Sequence, residues 1–237
     1  MKSLPAILLA LSTAGIVFAA EPSSEYSRTI FADDFSSNAF GPRWGHYKSG
    51  SVVKNGVLAG ITPEGSDHSA VDNIKFPGER DLELSVKFRF TSDKAKSFGV
   101  WFDDKDFKGS HAGHICQAVV SPANVTLSDA KTGGFNLAGG FYERKKANQL
   151  TDEEKAMLKT KSKNFPNKLA LQDWHKLVVS TKGDEIRVSI DGKEIGSFKS
   201  EGVTHDKKSL VSLTTNAVDV EYDEFSLKAA GSPTAKQ

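Results

Sequence analysis

The sequence predicts an all-β fold in which two antiparallel sheets pack face to face. Short segments of alternating apolar and polar residues recur along the chain, and turns rich in Gly and Asp separate them. Helical patterns do not alternate with these segments, which argues against a parallel α/β sheet. The single cysteine, Cys116, cannot form an internal disulfide, so the core must be stable without one. One sandwich domain over residues 31–228 accommodates these observations.

The first 20 residues have the pattern of a secretory signal peptide: one lysine, an apolar run and small residues at the end. We therefore expect a secreted protein, periplasmic or extracellular, with a lead-in over residues 21–30. Removing this leader takes away only Lys2, so 31 basic residues become 30, equal to the 30 acidic residues. This balance does not favour nucleic acid as a partner. No later apolar run reaches the ~20 residues of a membrane span.

Alternation is clearest in two predicted strands. In DLELSVKFRF, residues 81–90, apolar residues from Leu82 to Phe90 alternate with polar ones, so one face is buried. In SFGVWFDD, residues 97–104, the same period places Gly99, Trp101 and Asp103 on the polar face. Further on, WHKLVVSTKGDEIRVSIDGKEIGSF, residues 174–198, predicts three short strands joined by Lys-Gly-Asp and Asp-Gly turns.

One charged segment breaks the strand pattern. Thr151 and Glu154 have the spacing of a capping box, which predicts a helix from Asp152 to about Lys161. We interpret residues 150–161 as a helical insertion on the surface between strands. The end of the chain, residues 229–237, is predicted to be disordered.

Three stretches carry a family resemblance. DDFSSNAFGPRWGHYKSGSVVKNGVLAG, DWHKLVVSTKGDEIRVSIDGKEIGSF and VEYDEFSL resemble parts of concanavalin A-like lectin and glucanase domains, which implies a jelly roll. Within that superfamily the sequence is most similar to secreted 3-keto-disaccharide hydrolase, or 3-keto-glucoside 1,2-lyase/hydratase, domains. Those domains have an S-G-[IV] strand followed by a G-Y-E strand. Here Phe98-Gly99-Val100 and Gly113-His114-Ile115 stand in their place without the Tyr-Glu pair, as in a divergent branch.

The resemblance implies elimination or hydrolysis of 3-keto-glycosides. The proton on the ring carbon beside the ketone is acidic, so the site needs a base and a group that stabilises the enolate. We select His114 and His68 as candidate bases, with Lys87, Arg89 or a metal ion stabilising the enolate. The sequence requires no cofactor and leaves a divalent metal open. The structural alternatives are a turn residue for His68 and a hydrogen-bonded strand end for His114.

Residues 111–122, HAGHICQAVVSP, combine two histidines with the cysteine. Residues three apart in a strand face opposite sides, so His111 and His114 would converge on a metal only if His111 lay in a loop. Cys116 would share the face of His114 in a regular strand and could complete such a site. A small buried thiol is the alternative that we favour.

Binding of a sugar is predicted on the polar face of Trp101. Its indole would stack on a sugar ring while polar neighbours bond the hydroxyls, unless a loop or the insertion buries it. The candidate substrate-binding residues are Trp101, Asp103, Glu83 and Gln117, with Lys87 and Arg89 as further polar neighbours.

Three other interpretations stay open. Asp219, Glu221 and Asp223 alternate on one strand and could hold calcium or act as in a glycosidase, although a solvated face is the simpler explanation. The protein could instead be a non-catalytic carbohydrate-binding or wall-associated module that uses Trp101. It could also be a structural interaction domain with no sugar ligand.

Overall fold

Two antiparallel β-sheets form the described part of the protein in the computed structural model, which covers residues 25–216 and 220–231. The predicted signal peptide and Asp219 lie outside these ranges, as does the predicted tail from residue 232 onward. The sandwich begins at Arg28 and ends at Ala229. The two-sheet jelly-roll prediction is confirmed. Within the described residues, no helix is long and apolar enough to cross a membrane.

The sheet that we call the front sheet has seven strands among the described residues. In spatial order they are β10 (Ser162–Pro166), β9 (Asn124–Asp129), β8 (His114–Val120), β7 (Ser97–Asp103), β14 (Lys208–Asn216), β5 (Ala70–Glu79) and β2 (Trp44–Tyr47).

The opposing sheet, which we call the back sheet, has eight. In spatial order they are β13 (Lys193–Lys199), β12 (Glu185–Ile190), β11 (His175–Lys182), β6 (Leu82–Phe90), β15 (Val220–Ala229), β4 (Val57–Gly60) and β3 (Val52–Lys54), while β1 (Arg28–Asp33) also pairs with β15. The three predicted strands after Trp174 are β11, β12 and β13.

The apolar halves of these alternating strands meet between the sheets. Leu82, Leu84, Val86, Phe88 and Phe90 of β6 are all buried, as the sequence pattern predicted. Burying each such side chain contributes roughly 1.5–3 kcal/mol, so this continuous core stabilises the sandwich without a disulfide. The thiol of Cys116 lies inside this core, and burial raises its pKa to about 12. The prediction of a small buried cysteine is therefore confirmed.

The segment between β9 and β10 contains two short helices, α1 (Phe141–Lys146) and α2 (Asp152–Lys159). Thr151 caps α2 through the predicted capping box, because its hydroxyl accepts from the Glu154 amide and the Glu154 carboxylate accepts from the Thr151 amide. Helix α1 was not predicted, because it follows glycines that interrupt any helical pattern. We call residues 130–161 the insertion.

Candidate functional site

A one-residue β-bulge decides which side chains of β8 reach the front face. Phe102 pairs with Cys116, but the next pair is Asp103 with His114, so Ile115 is extra on β8. Ile115 and Cys116 are both buried in the core, and His114 turns outward. The expectation that His114 and Cys116 share a face is therefore wrong, because the bulge breaks the period of two between them.

His114 and Asp103 form a hydrogen-bonded pair on the outer face of the front sheet. Nδ1 of His114 lies 2.7 Å from Oδ1 of Asp103. Burial raises the pKa of the Asp103 carboxyl, while the hydrogen bond from His114 opposes that rise. Among the described residues, no side chain or backbone carbonyl forms a hydrogen bond with Nε2 of His114. An imidazole held in this way at Nδ1 can accept a proton at Nε2.

Trp101 lies on the same outer face, opposite Gln117 of β8. A Cβ added at Gly99 would come within 2.8 Å of the indole Nε1 and 2.6 Å of Thr214 Oγ1, so the glycine provides the space for the ring. The indole Nε1 donates to Thr214 Oγ1 at 3.0 Å. The ring centroids of Trp101 and His114 are 4.3 Å apart. Trp101 therefore packs against the His114 imidazole as well as presenting a half-buried surface to solvent.

Aromatic rings of the insertion line one side of this face, and the sequence analysis did not select them. Phe135 packs at 4.8 Å from His114 and 5.3 Å from Trp101, measured between ring centroids. Tyr142 of α1 stacks on His111 at 4.4 Å. The segment 133–142, GGFNLAGGFY, gave a usable signal, since aromatic residues in a glycine-rich loop often cover another surface.

His111 lies in a turn at residues 111–113, which brings its ring back over the strand. The His111 and His114 centroids are 6.1 Å apart. Burial lowers the pKa of His111, and the charges of His114, Lys146 and His68 lower it further while that of Glu143 opposes them. Among residues 25–216 and 220–231, no group of three or more His, Cys, Asp or Glu side chains could hold a metal ion.

His68 lies in the loop before β5, where its Nδ1 lies 2.6 Å from the Ser69 carbonyl oxygen. Its ring contacts Tyr47 of β2 at 5.2 Å, and it lines a cavity of about 420 Å³ with Ser97 and Asn216. Gln117 pairs with Trp101 across β7 and β8 on the front face. The structure therefore brings together five of the predicted residues on this side: His114, His68, Trp101, Asp103 and Gln117.

Glu83, Lys87 and Arg89 lie elsewhere, on the outer face of the back sheet. Their strand β6 pairs with β11 and β15, not with a front-sheet strand. Lys87 pairs with Glu224 at 2.5 Å, and Arg89 pairs with Glu221 at 2.5 Å. The prediction that these residues act beside His114 and Trp101 is wrong, because the hydrophobic core separates the two faces.

The carboxylates of β15 that the sequence analysis considered lie on the same back-sheet face. Glu221 is bound by Arg89, and the Asp223 carboxylate accepts from the Glu224 amide, so these carboxylates have partners that do not suggest a catalytic pair. Trp174 lies immediately before β11 and is exposed, with the Arg89 guanidinium 4.9 Å from its ring. Trp44, by contrast, is buried in the core.

Similarity to solved structures establishes the fold. The laminarinase from Rhodothermus marinus has a TM-score of 0.60 and 12% identity, over 86% of this chain and 98% of that one. The carbohydrate-binding module CBM66 from Bacillus subtilis has a TM-score of 0.53 and 9% identity, over 79% and 96%. A sialidase has a TM-score of 0.57 and 12% identity over 86% of this chain, which spans only 19% of that protein.

No curated protein sequence matches the chain. The family model described as the 3-keto-alpha-glucoside-1,2-lyase-like domain matches residues 29–229, which include the whole of both faces described above. The chain therefore belongs to the family of 3-keto-alpha-glucoside-1,2-lyase-like domains.

Proposed function

We propose that this protein is a secreted enzyme that cleaves 3-keto-glycosides by elimination, with His114 as the base. The Asp103–His114 pair is the observation that carries the proposal. Asp103 holds Nδ1 of the imidazole, which leaves Nε2 to take the proton from the ring carbon beside the ketone. The family match to residues 29–229 supports this substrate class.

The chemistry balances without a redox partner. His114 takes the proton, and the C–H electron pair delocalises onto the ketone oxygen as an enolate. The enolate then forms a double bond to the anomeric carbon as the anomeric C–O bond breaks, and the departing oxygen takes a proton. Addition of water across that double bond would give net hydrolysis.

The enolate oxygen needs a hydrogen-bond donor on the same face. Lys87 and Arg89 are too far away, because they lie on the back sheet. We assign this role to His111, whose ring is 6.1 Å from that of His114. Its lowered pKa keeps the imidazole neutral near pH 7, so it would donate an N–H bond without adding a positive charge.

The test is release of the conjugated enone from methyl 3-keto-α-glucoside, followed by absorbance with chelator and with added divalent metals. We expect turnover by the wild type and a loss of about 10²–10⁴-fold in His114→Ala. His175→Ala is the matched control, since His175 makes a similar 2.7 Å pair with Asp191 on the back sheet. Lys87→Ala and Arg89→Ala should retain wild-type turnover. No wild-type turnover under any metal condition would refute the enzyme proposal.

A non-catalytic carbohydrate-binding module is the second candidate. It is favoured by Asn73 and Gln117, whose side-chain oxygens are buried on the front face with no hydrogen-bond partner among the described residues. A sugar hydroxyl could supply that partner. This candidate predicts that a glycan binds, that Trp101→Ala weakens the binding, and that no glycoside is cleaved.

A further inference from the structure

One line of residues crosses the whole front sheet at the level of Trp101. The strand register places them opposite one another from strand to strand, all on the outer face, and we call them the cross-strand row. From β2 to β10 the row is Gly45, Asn73, Ser212, Trp101, Gln117, Ser128 and Ser162. His114 lies three residues before Gln117 on β8, and the bulge at Ile115 brings both side chains to the outer face, so the row passes beside the candidate base.

The two ends of this row differ in how much space they leave. At β8 and β9, the insertion closes over it: Phe135, Lys145 and Leu158 enclose a cavity of about 160 Å³ with Gln117, Ser128 and Ser162. Ligand pockets commonly have about 300–1,000 Å³, so this space is too small for a further sugar ring. A substrate with its reacting ring beside His114 that extends across the strands would therefore do so toward β14, β5 and β2.

Asn73 lies along that open direction. Its Oδ1 atom is buried without a donor among the described residues, and no other bond is made by its carboxamide in that part of the chain. A Cβ added at Gly45 would come within 2.7 Å of Oδ1, so the amide leans over the glycine of the edge strand. Since no hydrogen bond fixes the Asn73 carboxamide, it can rotate about the Cβ–Cγ bond and present either its oxygen or its nitrogen to a hydroxyl.

Tyr47 follows Asn73 at the open end. It is outward-facing on β2, two residues after Gly45, and 53% of its surface is exposed. Its ring contacts His68 at 5.2 Å, which fixes it beside the loop before β5. An exposed aromatic ring at the edge of a polar surface is suited to stack on the apolar face of a pyranose.

We propose that Asn73 and Tyr47 form the subsite for the leaving group and determine specificity for it. This inference rests on the proposed function. The bond to be cleaved then lies over β7, and the substrate crosses the strands from β8 toward β2. Strands in a sheet are about 4.8 Å apart, so the three strand steps from Gln117 to Asn73 span roughly 14 Å. That length requires a leaving group with a ring and hydroxyls of its own.

The experiment compares two substrates, an α-linked 3-keto-glucosyl-glucose and methyl 3-keto-α-glucoside. We expect Asn73→Ala to lower kcat/KM for the disaccharide about tenfold and to change that for the methyl glycoside less than twofold. Tyr47→Ala should show the same selectivity with a smaller loss. Gly45→Ala, which displaces the Asn73 amide without removing it, should resemble Asn73→Ala. Ser85→Ala on the back sheet is the control and should change neither substrate.

Calorimetric titration with the unoxidised α-linked disaccharide and with methyl α-glucoside separates the two proposals. If nothing is cleaved but Asn73→Ala and Tyr47→Ala weaken binding of the disaccharide alone, the elimination proposal fails and the subsite stands. If both substrates lose activity equally in Tyr47→Ala, the subsite is refuted; a matching thermal melt shows that this variant, whose side chain is exposed, is folded. Equal binding by the wild type and both variants also refutes it.

Discussion

The outer faces of the two sheets are built from the same alternating pattern, but their polar side chains differ in whether they have hydrogen-bond or ion-pair partners. On the back sheet, Lys87 and Arg89 are each paired with a glutamate of β15, and Arg89 also covers Trp174. On the front sheet, Asn73 and Gln117 keep buried oxygens without partners among the described residues. Ion pairs that are partly exposed to water are typical of a solvated face. Buried polar groups without hydrogen-bond partners are costly, and a ligand can supply the missing partner. The difference supports the proposal that the site lies on the front sheet.

The largest expected effect tests the front face through Asp103. In Asp103→Asn the carboxamide can no longer balance the imidazolium that forms when His114 takes a proton, and the tautomer is no longer fixed. We expect turnover of methyl 3-keto-α-glucoside to fall about a hundredfold or more. The back-sheet counterpart, Asp191→Asn, should leave turnover unchanged. Equal losses in both variants would mean that these pairs act only through stability.

The same substitution should change how the stability of the protein depends on pH. The pKa of Asp103 is raised by burial from an ordinary value of 3.8, so the folded state binds its proton more tightly than the unfolded state does. This carboxyl therefore favours folding at low pH, and that contribution is lost as pH rises from about 4 through the raised pKa. Thermal melts should show Asp103→Asn gaining stability over the wild type as pH rises. A difference in stability between Asp103→Asn and the wild type that does not depend on pH would contradict this.

A smaller effect is expected from the floor of the groove. In Gly99→Ala the added Cβ would lie 2.6 Å from Thr214 Oγ1 and 2.8 Å from the Trp101 indole, which must move. We expect a loss of about 1–3 kcal/mol in the free energy of unfolding, measured by denaturant, and weaker binding of sugars. Gly41→Ala is the matched control, since its nearest neighbour would be 3.9 Å away. Unaltered tryptophan fluorescence in Gly99→Ala would contradict the clash.

The smallest effect concerns the back face. A double-mutant cycle of Arg89→Ala and Glu221→Ala should give a coupling of about 0.2–1 kcal/mol, because both side chains are partly exposed. Turnover should stay at the wild-type level in all three variants, as expected for a solvated ion pair. A loss of turnover there would reverse the assignment of the two faces.

Sequence periodicity was sufficient for the fold, because alternation in β6 and β7 depends only on which side of a strand is buried. It was also sufficient to place Trp101 and Asp103 together on one outer face. It could not say which sheet a strand joins, so Lys87 was grouped with Trp101 although they are on opposite sides. Sheet membership depends on pairing between strands distant in sequence, such as β6 with β15, and no local pattern encodes it.

Other parts of the site were missed for local reasons. The bulge at Ile115 could not be predicted, since two successive apolar residues such as Ile115 and Cys116 occur in regular strands as well as at bulges. Asn73 lies in a strand with several buried residues and shows its role only when its unpartnered oxygen is seen. Phe135 and Tyr142 act through tertiary contacts of the insertion.

The bulge at Ile115 also has an evolutionary consequence. Because strand side chains alternate, a β8 that paired regularly through Ile115 would place Ile115 opposite Asp103 and turn the His114 imidazole toward the core. The sandwich could survive such a change, since its other strands keep their register. Catalytic and purely binding members of one family could therefore be separated by a change of register in one strand, and gain or loss of the reaction need not leave any mark elsewhere in the fold.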